Sequence, residues 1–158
     1  MRERGPDTSH PPEVGRDGPD LQRMAFSHLT IEYDERVLRP RPWTTMQSQW
    51  AAELIPDAPV GRVLELCAGA GQIGLLAVFL ANRPLLCVDL NPAACELTSL
   101  NARRAGLGDD VEVRCVDLET VAVSEECFGV VIADPPWVPA AETDQFPEDP
   151  LLAIDGGS

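Results

Sequence analysis

The chain predicts an α/β fold, a doubly wound Rossmann-like parallel sheet, on three observations. An apolar run, Val63-Leu64-Glu65-Leu66-Cys67, breaks at Ala68-Gly69-Ala70-Gly71 and resumes as Ile73, Gly74, Leu75, Leu76, Val78, Phe79 and Leu80, which reads as a buried strand turning sharply into a helix. Strand-like and helix-like periods then alternate along the rest of the chain. Finally, the later strands each end on an acid, so polar groups gather along one sheet edge, where open α/β sheets bind their ligands.

Taken in order, residues 1–20 are rich in Pro, Gly and charge and are expected to form a disordered arm. Residues 21–60 form a second unit. Leu29-Thr30-Ile31-Glu32-Tyr33, then Asp34-Glu35, then Arg36-Val37-Leu38 alternate around a polar turn and predict a small hairpin. Alternate prolines in Arg39-Pro40-Arg41-Pro42-Trp43-Thr44 predict extended chain. Thr44 or Thr45 is placed to cap a helix to about Leu54, which Pro56 and Pro59 stop. The core unit spans residues 61–158. After the glycine turn and its helix, Leu85 to Val88 forms a strand ending in Asp89 and Leu90. Asn91-Pro92 reads as N-cap and first position of a helix through Ala93, Leu97 and Leu100 to Gly106. A third strand, Val111 to Val116, delivers Asp117, and a fourth, Phe128 to Ala133, delivers Asp134.

Composition narrows the function. The chain has 158 residues, 44% of them hydrophobic, enough for one core. No run approaches the about 18 apolar residues of a membrane span, and no secretory signal core is present near Met1, so a soluble, cytoplasmic protein is expected. Five cysteines without a C-x-x-C pair, and two histidines, argue for buried free thiols and against a metal site or disulfide framework. Twelve basic residues, all arginine, face 26 acidic ones, for a net charge of -14. The lack of lysine removes Schiff-base and phosphate-loop-lysine chemistry. A field of that sign repels a phosphate backbone and attracts a sulfonium cation or a basic protein surface. The alternative reading is that the acids merely keep the protein soluble.

Gly69, Gly71 and Gly74 fit G-x-G-x-x-G, in which glycines let a ligand approach the backbone at a helix N-terminus, although a plain tight turn also satisfies the pattern. Asp89 stands where a βαβ nucleotide-binding unit sets an acid on a ribose hydroxyl pair. The expected ligand therefore carries a ribose, and NAD and S-adenosyl-L-methionine (SAM) both qualify. Asp134-Pro135-Pro136-Trp137 separates them. Two prolines after an acid hold the backbone extended without N–H groups, so the Asp134 carboxylate and the neighbouring carbonyls can accept from a planar amino group that stacks on Trp137. That nitrogen is a poor nucleophile, and hydrogen bonds from both its N–H groups aim its lone pair at an incoming methyl. An NAD-dependent oxidoreductase would need a His or Lys acid/base near the strand ends, and His10 and His28 lie upstream.

The segment Glu65 to Gly71, the acids Asp89 and Asp117, and the Asp-Pro-Pro-Trp tetrad together resemble class I SAM-dependent methyltransferases with an [N/D/S]-P-P-[Y/F/W] motif. Residues 37–42, 134–139 and Leu152-Ala153-Ile154-Asp155-Gly156-Gly157 resemble, more narrowly, the HemK-type protein-glutamine methyltransferases of peptide release factors. The resemblance implies that Glu65, Cys67, Ala68, Gly69, Gly71, Asp89, Leu90, Asp117 and Leu118 bind SAM, Gly69 and Gly71 at its methionine part, Asp89 at its ribose hydroxyls, and Asp117 with Leu118 at its adenine. It implies that Asp134, Pro135, Pro136 and Trp137 hold the acceptor nitrogen, with Asp134 also at the cofactor, and that Arg41 to Thr44 border the cofactor. The implied partner is a protein substrate such as a translation release factor, ahead of a nucleic acid, with no membrane and no metal.

Three departures bear on this. Cys67 and Ala68 replace a glycine and a threonine of the family's turn, and they are expected not to need positive φ. Asp134 replaces the asparagine usual in the glutamine enzymes, and aspartate there is common in nucleic-acid amino methyltransferases. The helical domain that precedes the core in the bacterial enzymes has no counterpart in the short arm. A class I core also has a fifth strand and an antiparallel pair after Asp-Pro-Pro-Trp, so the chain is expected to be a fragment or a truncated product, with the fourth strand a bare edge. A non-catalytic SAM- or nucleotide-binding module remains the alternative from another class.

Overall fold

A computed structural model describes residues 19–121 and 126–158, so the expected arm lies outside the described residues except for its last two. The described residues open on a hairpin, but not the expected one. Gln22–Phe26 (β1) pairs antiparallel with Leu29–Tyr33 (β2) across a Ser27-His28 turn. The strand Leu29–Tyr33 thus finds its partner upstream. Asp34 instead closes a local turn: its Oδ1 accepts from the Arg36 N–H at 3.0 Å and its Oδ2 from the guanidinium at 2.7 Å. A short acid that bonds the backbone two residues on competes well with a hairpin turn.

The expected extended stretch over residues 39–44 is cut short. Pro42–Thr44 forms a 3-10 turn with proline at its start, where the missing N–H costs nothing, and leads into Thr45–Leu54 (α1). Neither threonine caps that helix. The hydroxyls of Thr44 and Thr45 donate backwards to the carbonyls of Arg41 and Pro42, both at 2.8 Å, because the 3-10 turn already supplies the helix start.

The core unit runs Arg62–Leu66 (β3), Gln72–Ala81 (α2), Leu85–Asp89 (β4), Pro92–Arg104 (α3), Val111–Cys115 (β5), Leu118–Val121 (α4) and Phe128–Ala133 (β6). The four strands form one parallel sheet in the order β5-β4-β3-β6. From β3 the chain steps outward to β4 and β5 on one side and then crosses to β6 on the other, so strand order reverses between β3 and β6. That reversal opens a crevice at the carboxyl ends of the strands. The Asn91 side chain caps α3 by accepting from Ala93 N, as its position predicts. Past β6, Ala140–Gln145 forms a 3-10 segment and Leu151–Ile154 (α5) one short turn.

Val63 of β3 and Leu85 and Cys87 of β4 join a large core that includes Phe26, Ile31, Ile55, Leu75, Leu76 and Leu97. Leu64, Leu86 and Val88 point the other way into a smaller cluster. A register shift at Arg62/Val63 inserts Gly129 into β6, where a Cβ would sit 2.4 Å from the Pro59 carbonyl oxygen. This places Val130 and Ile132 on the main core and leaves Val131 57% exposed. Among the described residues β6 pairs with β3 alone, which makes it a sheet edge. The five thiols are free, but two depart from the expected burial: Cys115, the last residue of the edge strand β5, and Cys127, just before the edge strand β6, are exposed.

Candidate cofactor and acceptor site

The turn after β3 is held from three sides. Cys67 has φ +56 and Gly69 φ +58, and Gly71, at φ +80, starts α2 and donates its N–H to the Ala68 carbonyl at 2.8 Å. Positive φ at Cys67 corrects the expectation for that position. The strand ends at Leu66, and the chain must reverse within a few residues, which β-region angles cannot do. From α3, the Thr98 hydroxyl donates to the Gly69 carbonyl at 3.0 Å and Asn101 Nδ2 to the Ala70 carbonyl at 2.9 Å. From β4, Asp89 Oδ2 accepts the Gly69 N–H and Oδ1 accepts the Asn91 N–H, both at 2.8 Å.

The glycines therefore do different work. A Cβ on Gly69 would meet nothing within 4 Å, so its backbone faces open space in the crevice. On Gly71 it would fall 2.8 Å from Thr98 Cγ2, so Gly71 packs against α3 and lies off the cleft lining. On Gly74 it would land 2.4 Å from Glu65 Oε2. Glu65 is itself the clearest correction. Its carboxyl is fully buried beneath α2, accepting from Gly74 N at 2.8 Å and from the Cys87 thiol at 3.3 Å, and it does not line the cleft. Burial pushes it up to about 7, with the Gly74 N–H and Cys87 thiol pulling the other way. It belts strand to helix, away from the cleft lining.

The crevice has a volume of about 320 Å³, within the range of small-molecule sites. Its sheet side carries Cys67, Ala68, Gly69, Asp89, Leu90, Asp117, Leu118, Asp134 and Pro136, all anticipated from the sequence. Pro135 and Trp137 lie outside that lining, Trp137 on the rim with 78% exposure. Desolvation pushes the Asp134 carboxyl upward from its ordinary value. The tetrad is braced from behind: Val138 N donates to Ile154 O at 3.0 Å, Gly156 N to Val138 O at 2.9 Å, and a Cβ on Gly156 would stand 2.9 Å from Trp137 Cα.

Other lining residues were not among the expected site residues, although residues 37–42 and 152–157 carry the narrower resemblance. Val37 and Leu38 form one wall and Leu152, Ala153 and Asp155 another, while residues 41–44 do not line the cleft as the resemblance implied. Gln72 lines it too, and its buried Oε1 has no hydrogen-bond partner.

These residues suit SAM. Each Asp89 oxygen uses one lone pair on the backbone and keeps another for a hydroxyl, which matches a ribose diol. Leu90 and Leu118, 57% and 40% exposed, offer apolar surface to a flat ring. The orphan Gln72 oxygen calls for a donor such as an α-amino group. Among the described residues no group of three or more His, Cys, Asp or Glu side chains is placed to hold a metal, and no helix is long and apolar enough to cross a membrane.

Comparison with known proteins agrees with this geometry. The family model of the RMKL-like methyltransferase domain matches residues 69–148. The release factor glutamine methyltransferase of Mycolicibacterium smegmatis is 35% identical over 143 residues, covering 84% of this chain and 48% of that protein. That of Clostridium acetobutylicum is 28% identical, covering 86% and 50%. The ribosomal protein uL3 glutamine methyltransferase of Bradyrhizobium diazoefficiens is 33% identical, covering 87% and 47%. The chain thus spans about half the length of these relatives. Among solved structures, the hMettl16 catalytic domain with MAT2A 3′UTR hairpin 6 matches with TM-score 0.65 and 16% identity, over 83% of this chain and 52% of that one. A Pyrococcus abyssi tRNA (uracil-54, C5)-methyltransferase with S-adenosyl-L-homocysteine matches with TM-score 0.60 and 19% identity, over 75% and 29%. At those identities the structures show the shared fold, and the family match over half the chain makes this protein a member of the RMKL-like methyltransferase domain family.

Proposed function

We propose that this chain methylates a planar amide nitrogen, the side chain of a protein glutamine, with SAM as donor. The observation that carries the reading is the meeting of the Gly69 turn, Asp89 and Asp134 on one crevice at the strand-order reversal. Relatives named as glutamine methyltransferases of release factors and of ribosomal protein uL3, matched over most of this chain, support a protein acceptor. Bound SAM would supply an electrophilic methyl on a sulfonium sulfur. Asp89 would hold its ribose hydroxyls, the open Gly69 backbone would let it lie close, and Leu90 and Leu118 would flank its base. The Asp134 carboxylate and the Pro135 carbonyl accept the two acceptor N–H groups, and the Trp137 ring covers the amide plane. Transfer of that methyl to the nitrogen would leave the bonding pair on sulfur, and Asp134 stands where the surplus N–H proton would leave to solvent. The exposed rim around Trp137 leaves room for a macromolecular acceptor.

Asp134, in place of the asparagine usual in glutamine enzymes, favours a second reading, methylation of a nucleic-acid amino group. An experiment separates the two: transfer of labelled methyl from SAM into cell extract treated with nuclease or with protease. Label that survives nuclease and is lost to protease is expected. The reverse supports the nucleic-acid reading, and SAM binding without transfer supports a binding module. Asp134→Ala should lower turnover roughly 100-fold or more while changing SAM affinity little, since it acts on the acceptor. Equal losses in both would remove Asp134 from that role.

A further inference from the structure

The geometry points to Arg41 and Asp149 as a positioning pair: we propose that their ion pair holds two walls of the cofactor cleft at their working separation and so sets how tightly SAM is retained. The inference rests on the reading of this cleft as a SAM site. Arg41 Nη2 donates to Asp149 Oδ1 at 2.9 Å and Oδ2 at 2.8 Å, across 108 residues of sequence. The Asp149 side chain is only 9% exposed and that of Arg41 32%.

Both partners are fixed locally, so the contact can transmit position. The Arg41 carbonyl accepts from Thr44 N at 3.0 Å and from the Thr44 hydroxyl at 2.8 Å. Its guanidinium also lies 5.9 Å from the Trp43 ring centre. Asp149 N donates to the Phe146 carbonyl at 3.1 Å, and Pro150 fixes the chain entering α5. Leu38, three residues before Arg41, lines one wall, and Leu152, three residues after Asp149, lines the other. Short rigid arms thus run from the ion pair to each wall. Neither side chain lines the cleft, so the pair acts through Leu38 and Leu152.

Sign separates this role from plain electrostatics. The ligand's sulfonium is cationic, so removing the Arg41 charge would, by field alone, tighten binding. If the pair positions the walls, the same change loosens it. Calorimetric titration with SAM therefore decides: Arg41→Gln and Asp149→Asn should each bind roughly 10-fold more weakly, and the swap Arg41→Asp with Asp149→Arg should recover most of the loss. Arg41→Lys, which keeps the charge but loses the planar fork, should fall between wild type and Arg41→Gln. Wild-type binding with Arg41→Gln equal to or tighter than it, or a swap no better than the single variants, overturns the pair's role and leaves the cleft reading intact. A wild-type chain that binds no SAM overturns the cleft reading and the pair's role with it.

Discussion

Cys67 sits at φ +56 between a strand that ends at Leu66 and a glycine turn that begins two residues later, and an L-residue with a Cβ pays about 1 kcal/mol to stay there. Cys67→Gly should therefore raise unfolding free energy by roughly 0.5–1 kcal/mol, less the extra chain entropy glycine carries, as read from urea denaturation. A loss of stability would mean that the half-buried thiol packs too well to give up. Glu65 sets a pH dependence at the same scale. Its folded value, about 7, lies above the ordinary 4.5, so the fold favours the protonated carboxyl. Its contribution is fully present below about 4.5 and is lost as pH rises through about 7. In that window the slope should approach about 1.4 kcal/mol per pH unit. Denaturation at several pH values should show it in the wild type and a flatter profile in Glu65→Gln. Neither property was legible in the sequence. An acid in an apolar strand before a glycine turn reads equally as a ligand contact or as a buried belt, and only the 2.4 Å clearance above Gly74 decides for the belt. A residue's φ sign is set by where the strand must stop, which periodicity does not register.

At the scale of elements, one side chain ties three of them together. Asn101, buried on α3, accepts from Glu32 N at 2.8 Å and donates to the carbonyls of Glu32 and Ala70, each at 2.9 Å, so it joins the hairpin and the glycine turn to one helix. Asn101→Ala leaves these buried backbone groups without partners and should cost about 2–4 kcal/mol. Asn101→Asp should cost more, because a carboxylate accepts the Glu32 N–H but cannot donate to two carbonyls. Thermal unfolding of the two variants checks the order, and a milder aspartate would refute this account. The elements themselves were readable where one period dominates: the apolar strands β3, β4 and β6, the capped helix α3 and their parallel arrangement follow from residues 63–66, 85–88, 91–104 and 128–133. The hairpin was misread because Asp34-Glu35 and Ser27-His28 are both polar pairs beside Leu29–Tyr33, and the choice falls on the packing of Phe26 and Ile31 into the core. The sheet side of the cleft was legible, since strand ends carry it. The walls at Val37 and Leu152 were legible only through the narrower resemblance of residues 37–42 and 152–157, because distant segments bring them to the cleft and their apolar side chains show no site chemistry of their own.

For the whole molecule, charge and the β6 edge oppose one another. The edge strand Phe128–Ala133 has no charged residue and exposes Val131 by 57%, while its far side is unpaired among the described residues. Such an edge is a template for pairing with another chain, and proteins block it with lysine, proline or a cover. The net charge of -14 opposes the approach of two copies of this chain. Repulsion of that kind reaches about 10 Å at 0.1 M salt and about 3 Å at 1 M, whereas the apolar contact of two edges does not weaken with salt. Self-association should therefore rise with ionic strength, opposite to an assembly held by ion pairs. Val131→Lys should suppress it by placing a charge on the edge itself, with little effect on the main core, which Val131 does not join. Sedimentation velocity of wild type and Val131→Lys at about 0.05 M and 1 M sodium chloride gives the comparison. A wild-type chain that stays monomeric at high salt, or a variant that associates as the wild type does, would mean that the edge is shielded by something other than charge.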